Sequence, residues 1–172
     1  VTPAGVPVRV QLLGQEPQWL AENAVRAVQL GSPGVDLNFG CPAKAVNKSR
    51  GGAVLLKETE QLYRIVKAVR DAVPAQFPVS AKIRLGYDDT SLTLANAAAI
   101  ADAGASMLTV HARTKSDGYR PPAYWPWIAR IKQQITIPLV ANGEIWNAAD
   151  AALCQQQADC SDIMLGRGAL AM

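Results

Sequence analysis

Five short apolar runs in this sequence each end in residues able to do chemistry. Val35-Asp36-Leu37-Asn38-Phe39-Gly40-Cys41-Pro42-Ala43-Lys44 finishes in an amide, a glycine and a thiol set beside a proline. Lys82-Ile83-Arg84, His111-Ala112-Arg113, Asn142-Gly143-Glu144 and Gly166-Arg167-Gly168 follow in order. Cys41 lies in a loop, where a thiol can act as nucleophile or proton donor, although buried cysteines are usually inert small hydrophobes. Side chains alternate along a strand, so Val79, Ala81, Ile83 and Leu85 share one face while Ser80, Lys82 and Arg84 share the other. Two cations facing inward need acceptors or anions, either an inward acid such as Asp36 or a ligand. The same parity turns Thr109 and His111 inward. A lone histidine there is either a satisfied core residue or a functional one.

The elements that must carry these groups alternate. Pro7 to Leu13 reads as a strand and Pro17 to Leu30 as a helix, with Leu20, Ala24, Ala27 and Val28 at helical spacing. Val35 to Phe39 is a strand, Ala53 to Leu56 a short helical turn, and Glu60 to Val73 a helix with Pro74 beyond its end. Strands are expected at Val79 to Leu85, Met107 to Val110, Ile137 to Ala141 and Asp162 to Leu165. Helices are expected at Leu92 to Ala103, Trp125 to Gln134 and Ala148 to Gln157. This order calls for an α/β fold with a parallel sheet covered by helices. A doubly wound sheet is possible, but no Gly-rich dinucleotide loop follows the first strand. A (β/α)8 TIM barrel present as a fragment, with about six of its eight βα units, fits better. Chemistry in such a barrel sits at the C-terminal strand ends, where the five motifs lie.

Other features bear on partners. The 172 residues with a net charge of +3 permit a polyanionic partner without requiring one. Cys41, Cys154 and Cys160 are odd in number and widely spaced, which is no disulfide framework, and one histidine makes no zinc site. Cys154 and Cys160 read as structural. No apolar run is long enough to span a bilayer, and no basic-then-apolar leader opens the chain. A reducing cytoplasmic setting, without membrane or metal, is expected. The missing initiator methionine marks a fragment or a processed chain. Gly166-Arg167-Gly168 makes either a phosphate turn or a tight turn with a solvent-facing arginine. Lys44, Lys48 and Arg50 form a basic run on the Cys41 loop, able to meet phosphates or only solvated. Tyr119, Tyr124, Trp125 and Trp127 either stack on a base or pack locally, and local packing is favoured for Trp125 and Trp127.

Together these residues resemble the tRNA-dihydrouridine synthase family. The resemblance rests on Val10-Gln11-Leu12-Leu13-Gly14, Leu37-Asn38-Phe39-Gly40-Cys41-Pro42, Lys82-Ile83-Arg84, His111-Ala112-Arg113-Thr114, Asn142-Gly143-Glu144-Ile145 and Gly166-Arg167-Gly168-Ala169, and it runs along nearly the whole chain. Asn38 to Lys44, with Glu16-Pro17-Gln18-Trp19 before it, is most similar to the bacterial C-type branch, which modifies position 16 of the tRNA D-loop. The resemblance implies an FMN-containing barrel that reduces the uridine C5=C6 bond with electrons from NADPH. It implies Gln11 and Lys82 on the flavin ring, with His111, Asn142, Gly143, Glu144, Gly166 and Arg167 at the remaining flavin and phosphate contacts. Cys41 would be the general acid, on a mobile loop able to close over C5. Asn38, Arg84 and Tyr119 would hold the uracil edge. The partner implied is tRNA, with the uridine unstacked to reach the flavin, and a monomer is expected. Residues 1–172 would form a partial catalytic barrel. The family's first two strands and its C-terminal helical tRNA-binding domain have no counterpart in this sequence, leaving two unpaired sheet edges. Tyr87 stands where the family often has tryptophan.

Two other functions compete. One is another FMN barrel reductase acting on a free small molecule such as a pyrimidine. The other is an RNA-binding module without catalysis, which the convergence of Lys82, His111 and Gly166–Arg167 inside a barrel disfavours.

Overall fold

The computed structural model describes residues 1–170. Six strands form one parallel sheet: β1 (Val10–Leu12), β2 (Val35–Phe39), β3 (Val79–Arg84), β4 (Met107–His111), β5 (Leu139–Asn142) and β6 (Asp162–Met164). Their spatial order is the order of the sequence, and every neighbouring pair is parallel. A doubly wound sheet reverses its direction of winding at a switch point. No reversal occurs here, so the sheet is an arc wound one way, consistent with a partial (β/α)8 barrel.

Between the strands lie α1 (Pro17–Gln29), α2 (Lys44–Lys48), α3 (Thr59–Ala72), α4 (Thr93–Asp102), α5 (Pro126–Lys132) and α6 (Ala148–Ala158). Helix α1 starts on Pro17, whose missing N–H would be unpaired there anyway. Helix α3 turns Leu62, Ile65, Val66 and Val69 to one side, and all four are fully buried. Val79, Ala81 and Ile83 of β3 meet them from the outer face of the sheet, also fully buried. The core lies between helices and sheet, which leaves the inner face of the arc to the polar side chains.

Several expected boundaries shift by a residue or two, and two expectations change more. The strand foreseen from Pro7 to Leu13 shrinks to Val10–Leu12, because β1 pairs only with β2 and Val6 and Val8 lie exposed. The basic run after Cys41 is not open loop: Lys44–Lys48 forms a short helix, closed by Asn47 donating to the carbonyls of Ala43 (2.8 Å) and Cys41 (2.9 Å). No helix is long and apolar enough to cross a membrane among the described residues.

Candidate functional site

Strand register brings the motifs together. Arg84, His111 and Asn142 stand side by side on β3, β4 and β5, and Asn38, Lys82 and Thr109 form the row beneath. All of these but Thr109, with the loops beyond them, line a cavity of about 480 Å³, to which Gln11, Cys41, Tyr119, Gly143, Glu144, Gly166 and Arg167 also contribute. Ligand sites commonly occupy about 300–1,000 Å³. Every residue expected at the site from sequence lines this cavity.

The Cys41 backbone is anchored from both sides. Asn38 Oδ1 accepts from the N–H groups of Gly40 (2.9 Å) and Cys41 (3.0 Å). The Cys41 carbonyl accepts from Asn47 Nδ2 and from the Ala53 N–H at 3.0 Å. Gly52, at φ 66°, passes so close that a Cβ there would stand 2.7 Å from the same carbonyl. These bonds tie the loop's backbone to its neighbours on both sides. Asn38 also donates to Gln11 Oε1 (2.9 Å), and Gln11 donates to Asp36 (2.7 Å). Asn38 therefore builds the cysteine loop as well as facing the cavity.

The inward cations find neutral acceptors rather than Asp36, which accepts instead from Gln11 and Ser80. Lys82 donates to Asn142 Oδ1 at 3.0 Å, and Asn142 Nδ2 is held by the Met164 carbonyl. Burial, then the Arg84 charge, lowers the Lys82 pKa to about 8. Arg84 is buried and donates to the carbonyls of Gly40, Thr114 and Gly118. Burial, followed by the charges of Arg84, Lys82, Arg113 and Arg167, drives His111 down to about 3, so its ring is neutral at physiological pH.

Arg113 has no exposed surface. Its Nε donates to the Pro122 carbonyl at 3.2 Å, its Nη1 lies 3.3 Å from His111 Nε2, and its Nη2 pairs with Glu144. Glu144 Oε1 accepts from the Trp146 indole at 2.8 Å. Burial pushes the Glu144 carboxyl up, but hydrogen bonds from Trp146 and Arg113 and the neighbouring charges outweigh it and hold it below its ordinary value. Both carboxylate oxygens thus already have protein partners. Gly143, at φ 117°, presses on the His111 ring, and a Cβ there would lie 2.7 Å from Cδ2. The Trp125 indole donates to the Gly143 carbonyl, which is the local packing expected of it. Arg167 lies exposed between the faces of Tyr119 (4.9 Å) and Trp146 (5.0 Å), while Tyr119 also meets Arg84 at 5.1 Å. Cys154 and Cys160 are buried away from the cavity.

Sequence reasoning assigned no role to Arg113, Trp146 or Asn47. Alternation alone would have placed Arg113 on the face of His111, two residues earlier. Among the described residues no three His, Cys, Asp or Glu side chains gather as metal ligands would. The cavity wall carries Lys82, Arg84, Arg113 and Arg167 against the single carboxylate of Glu144, an excess of donors suited to an anion.

Comparison with known proteins agrees with the motifs. A model of the dihydrouridine synthase family matches residues 2–172. A tRNA-dihydrouridine(16) synthase of Shewanella oneidensis is 60% identical over 171 residues, covering 99% of this chain and 54% of that protein. Proteins of the same name from Pseudomonas syringae pv. tomato and Vibrio cholerae are 58% and 57% identical, covering 99% and 98% of this chain and 54% and 53% of theirs. The chain spans about half the length of the curated relatives it matches. Among solved structures, an enolase-superfamily member from Salmonella Typhimurium aligns with a TM-score of 0.65 at 15% identity, covering 92% of this chain and 42% of that one. An N-succinyl Arg/Lys racemase from Bacillus cereus aligns at 0.64 and 15%, covering 91% and 36%. Those two likenesses are of fold alone. With motifs and match running together from end to end, the chain belongs to the dihydrouridine synthase family.

Proposed function

We propose that the intact protein reduces the C5=C6 bond of a D-loop uridine of tRNA, at position 16, to dihydrouridine, with FMN in the cavity and NADPH as electron donor. The excess of cations over carboxylates on the cavity wall carries this reading, joined to the activity for which the relatives are named. The donor set fits FMN. Lys82 uses one of its three N–H groups on Asn142 and keeps the others for a ring oxygen. Space opens around Gly166, where an added Cβ would meet nothing within 4 Å, and Arg167 beside it suits a phosphate.

FMN bound there would supply a hydride to C6 of the uracil. Cys41 gives the proton to C5 from Sγ, and its thiolate regains one from solvent. The bonds to its backbone support Cys41 at the cavity wall. Gln11 and Lys82 would hydrogen-bond the flavin ring, and a lysine ammonium beside the ring favours its anionic reduced form. His111, Asn142, Gly143, Glu144, Gly166 and Arg167 would line the remaining flavin and phosphate contacts. Asn38, Arg84 and Tyr119 hold the uracil edge, which orients the base over the ring. Arg84 does so from a guanidinium fixed by three carbonyls. Residues 1–172 serve as the partial catalytic barrel of a cytoplasmic, monomeric protein.

The test is the visible spectrum of the intact protein without oxygen. Flavin absorbance should bleach with NADPH and return on adding unmodified tRNA. A colourless protein that cannot be loaded with FMN overturns the cofactor assignment. Turnover of free uracil or orotate, with none on tRNA, replaces the substrate with a small pyrimidine.

A further inference from the structure

An arginine side chain can donate hydrogen bonds and cannot accept one. That asymmetry fixes something about its neighbour. Arg113 Nη1 faces His111 Nε2 at 3.3 Å, within a site that shuts Arg113 away from water entirely. A neutral imidazole carries one proton. If Nε2 bore it, two N–H groups would point at each other in a buried place, where an unmade hydrogen bond costs about 1–3 kcal/mol. Nε2 must therefore accept, and the proton must sit on Nδ1.

The rest of the ring's surroundings agree. Its Cδ2–Nε2 edge lies against Gly143 and Arg113, so the edge left for the cavity carries Nδ1. Among the described residues no protein acceptor meets Nδ1, yet the one orphaned buried side-chain atom is Asn47 Oδ1. Nδ1 is therefore open to the cavity and not a buried orphan. The groups facing the ring are Lys82, Arg84, Arg113 and Arg167, the Glu144 carboxylate held by Arg113, and the Tyr119 ring at 6.0 Å between centroids. The cations oppose protonation, so the ring stays neutral.

We propose that Arg113 is a positioning residue. Held by the Pro122 carbonyl and Glu144, it locks His111 in the Nδ1–H tautomer, so that the ring presents a donor and not an acceptor to whatever fills the cavity. Glu144 and Trp146 act one step further out, through Arg113. Only the identity of the acceptor that Nδ1–H meets rests on the flavin reading; the tautomer follows from the protein's own contacts.

The tautomer can be read directly. Long-range proton–nitrogen NMR on the ¹⁵N-labelled intact protein, free of flavin, reports which ring nitrogen bears the proton. The His111 signal is the one lost in His111→Asn. The expected result is a protonated Nδ1 and a bare Nε2, unchanged from pH 5 to pH 8. Arg113→Met should move the proton toward Nε2, and Arg113→Lys, which keeps one donor, should restore the Nδ1–H form at least in part. Glu144→Gln, whose amide oxygen can still accept from Arg113, should leave the tautomer as it was. A wild-type His111 protonated on Nε2, or a pattern unmoved in a folded Arg113→Met, overturns the proposal. Flavin uptake, measured separately by absorbance, tells failure of the cofactor reading apart from failure of the tautomer lock.

Discussion

The middle of the arc and its two ends are built differently. On β3 and β4 and the loops just beyond them, Arg84, His111 and Arg113 are buried and held by carbonyls, a ring nitrogen or a carboxylate. At the ends, Gln11 on β1 and Arg167 after β6 are exposed. Gln11 touches two side chains and Arg167 rests on two aromatic faces. The strands explain the contrast. A middle strand has neighbours on both sides whose side chains and loops supply acceptors, whereas β1 and β6 pair on one side only. Within these residues the middle is held by its own neighbours on both sides.

Substitutions probe that contrast in order of size. Cys41→Ala should leave flavin binding intact and slow uridine reduction by about 10²–10⁴-fold. Single-turnover assays on unmodified tRNA measure this, and unchanged turnover would remove the thiol from the proton transfer.

Lys82→Met should stabilise the empty protein at pH 7 by about 1–4 kcal/mol, because it removes a buried charge. The sign follows from the lowered pKa of about 8. The unfolded chain binds this proton more tightly, so wild-type stability from this group rises with pH between about 8 and the ordinary lysine value. The advantage of methionine should shrink over the same range. Urea melts at pH 7 and pH 10 check it, and a variant less stable at pH 7 would mean Lys82 is a net structural tie.

Gly143→Ala should cost about 1–3 kcal/mol, since the residue sits at φ 117° with His111 in the way. A thermal melt within a degree of wild type would show the middle to be softer than described. Arg167→Ala should change stability by less than about 1 kcal/mol, the range of exposed cation–π contacts. A loss equal to that of Gly143→Ala would erase the distinction between middle and ends.

Much of the middle was legible from local pattern. Alternation put Lys82, Arg84 and His111 on the inner face, and helical spacing put Leu62, Ile65, Val66 and Val69 in the core. What stayed hidden depends on register between strands distant in sequence. Asp36 looked like a partner for Lys82, but Asn142, sixty residues on, takes that place. Arg113 needed Glu144 and His111 placed around it before its burial made sense. Nothing in a linear pattern shows Asn38 and Asn47 closing on the backbone of the Cys41 loop.

The most direct test of the cationic inner face as a flavin site is an FMN titration of wild type and Lys82→Met at pH 7 and pH 9, followed by quenching of flavin fluorescence. Wild type should bind more tightly at pH 7, weakening by up to about tenfold per pH unit once Lys82 loses its proton above about 8. Lys82→Met should bind more weakly than wild type at pH 7 and show no such change between the two pH values. Equal affinity of the two proteins at pH 7 would contradict the account.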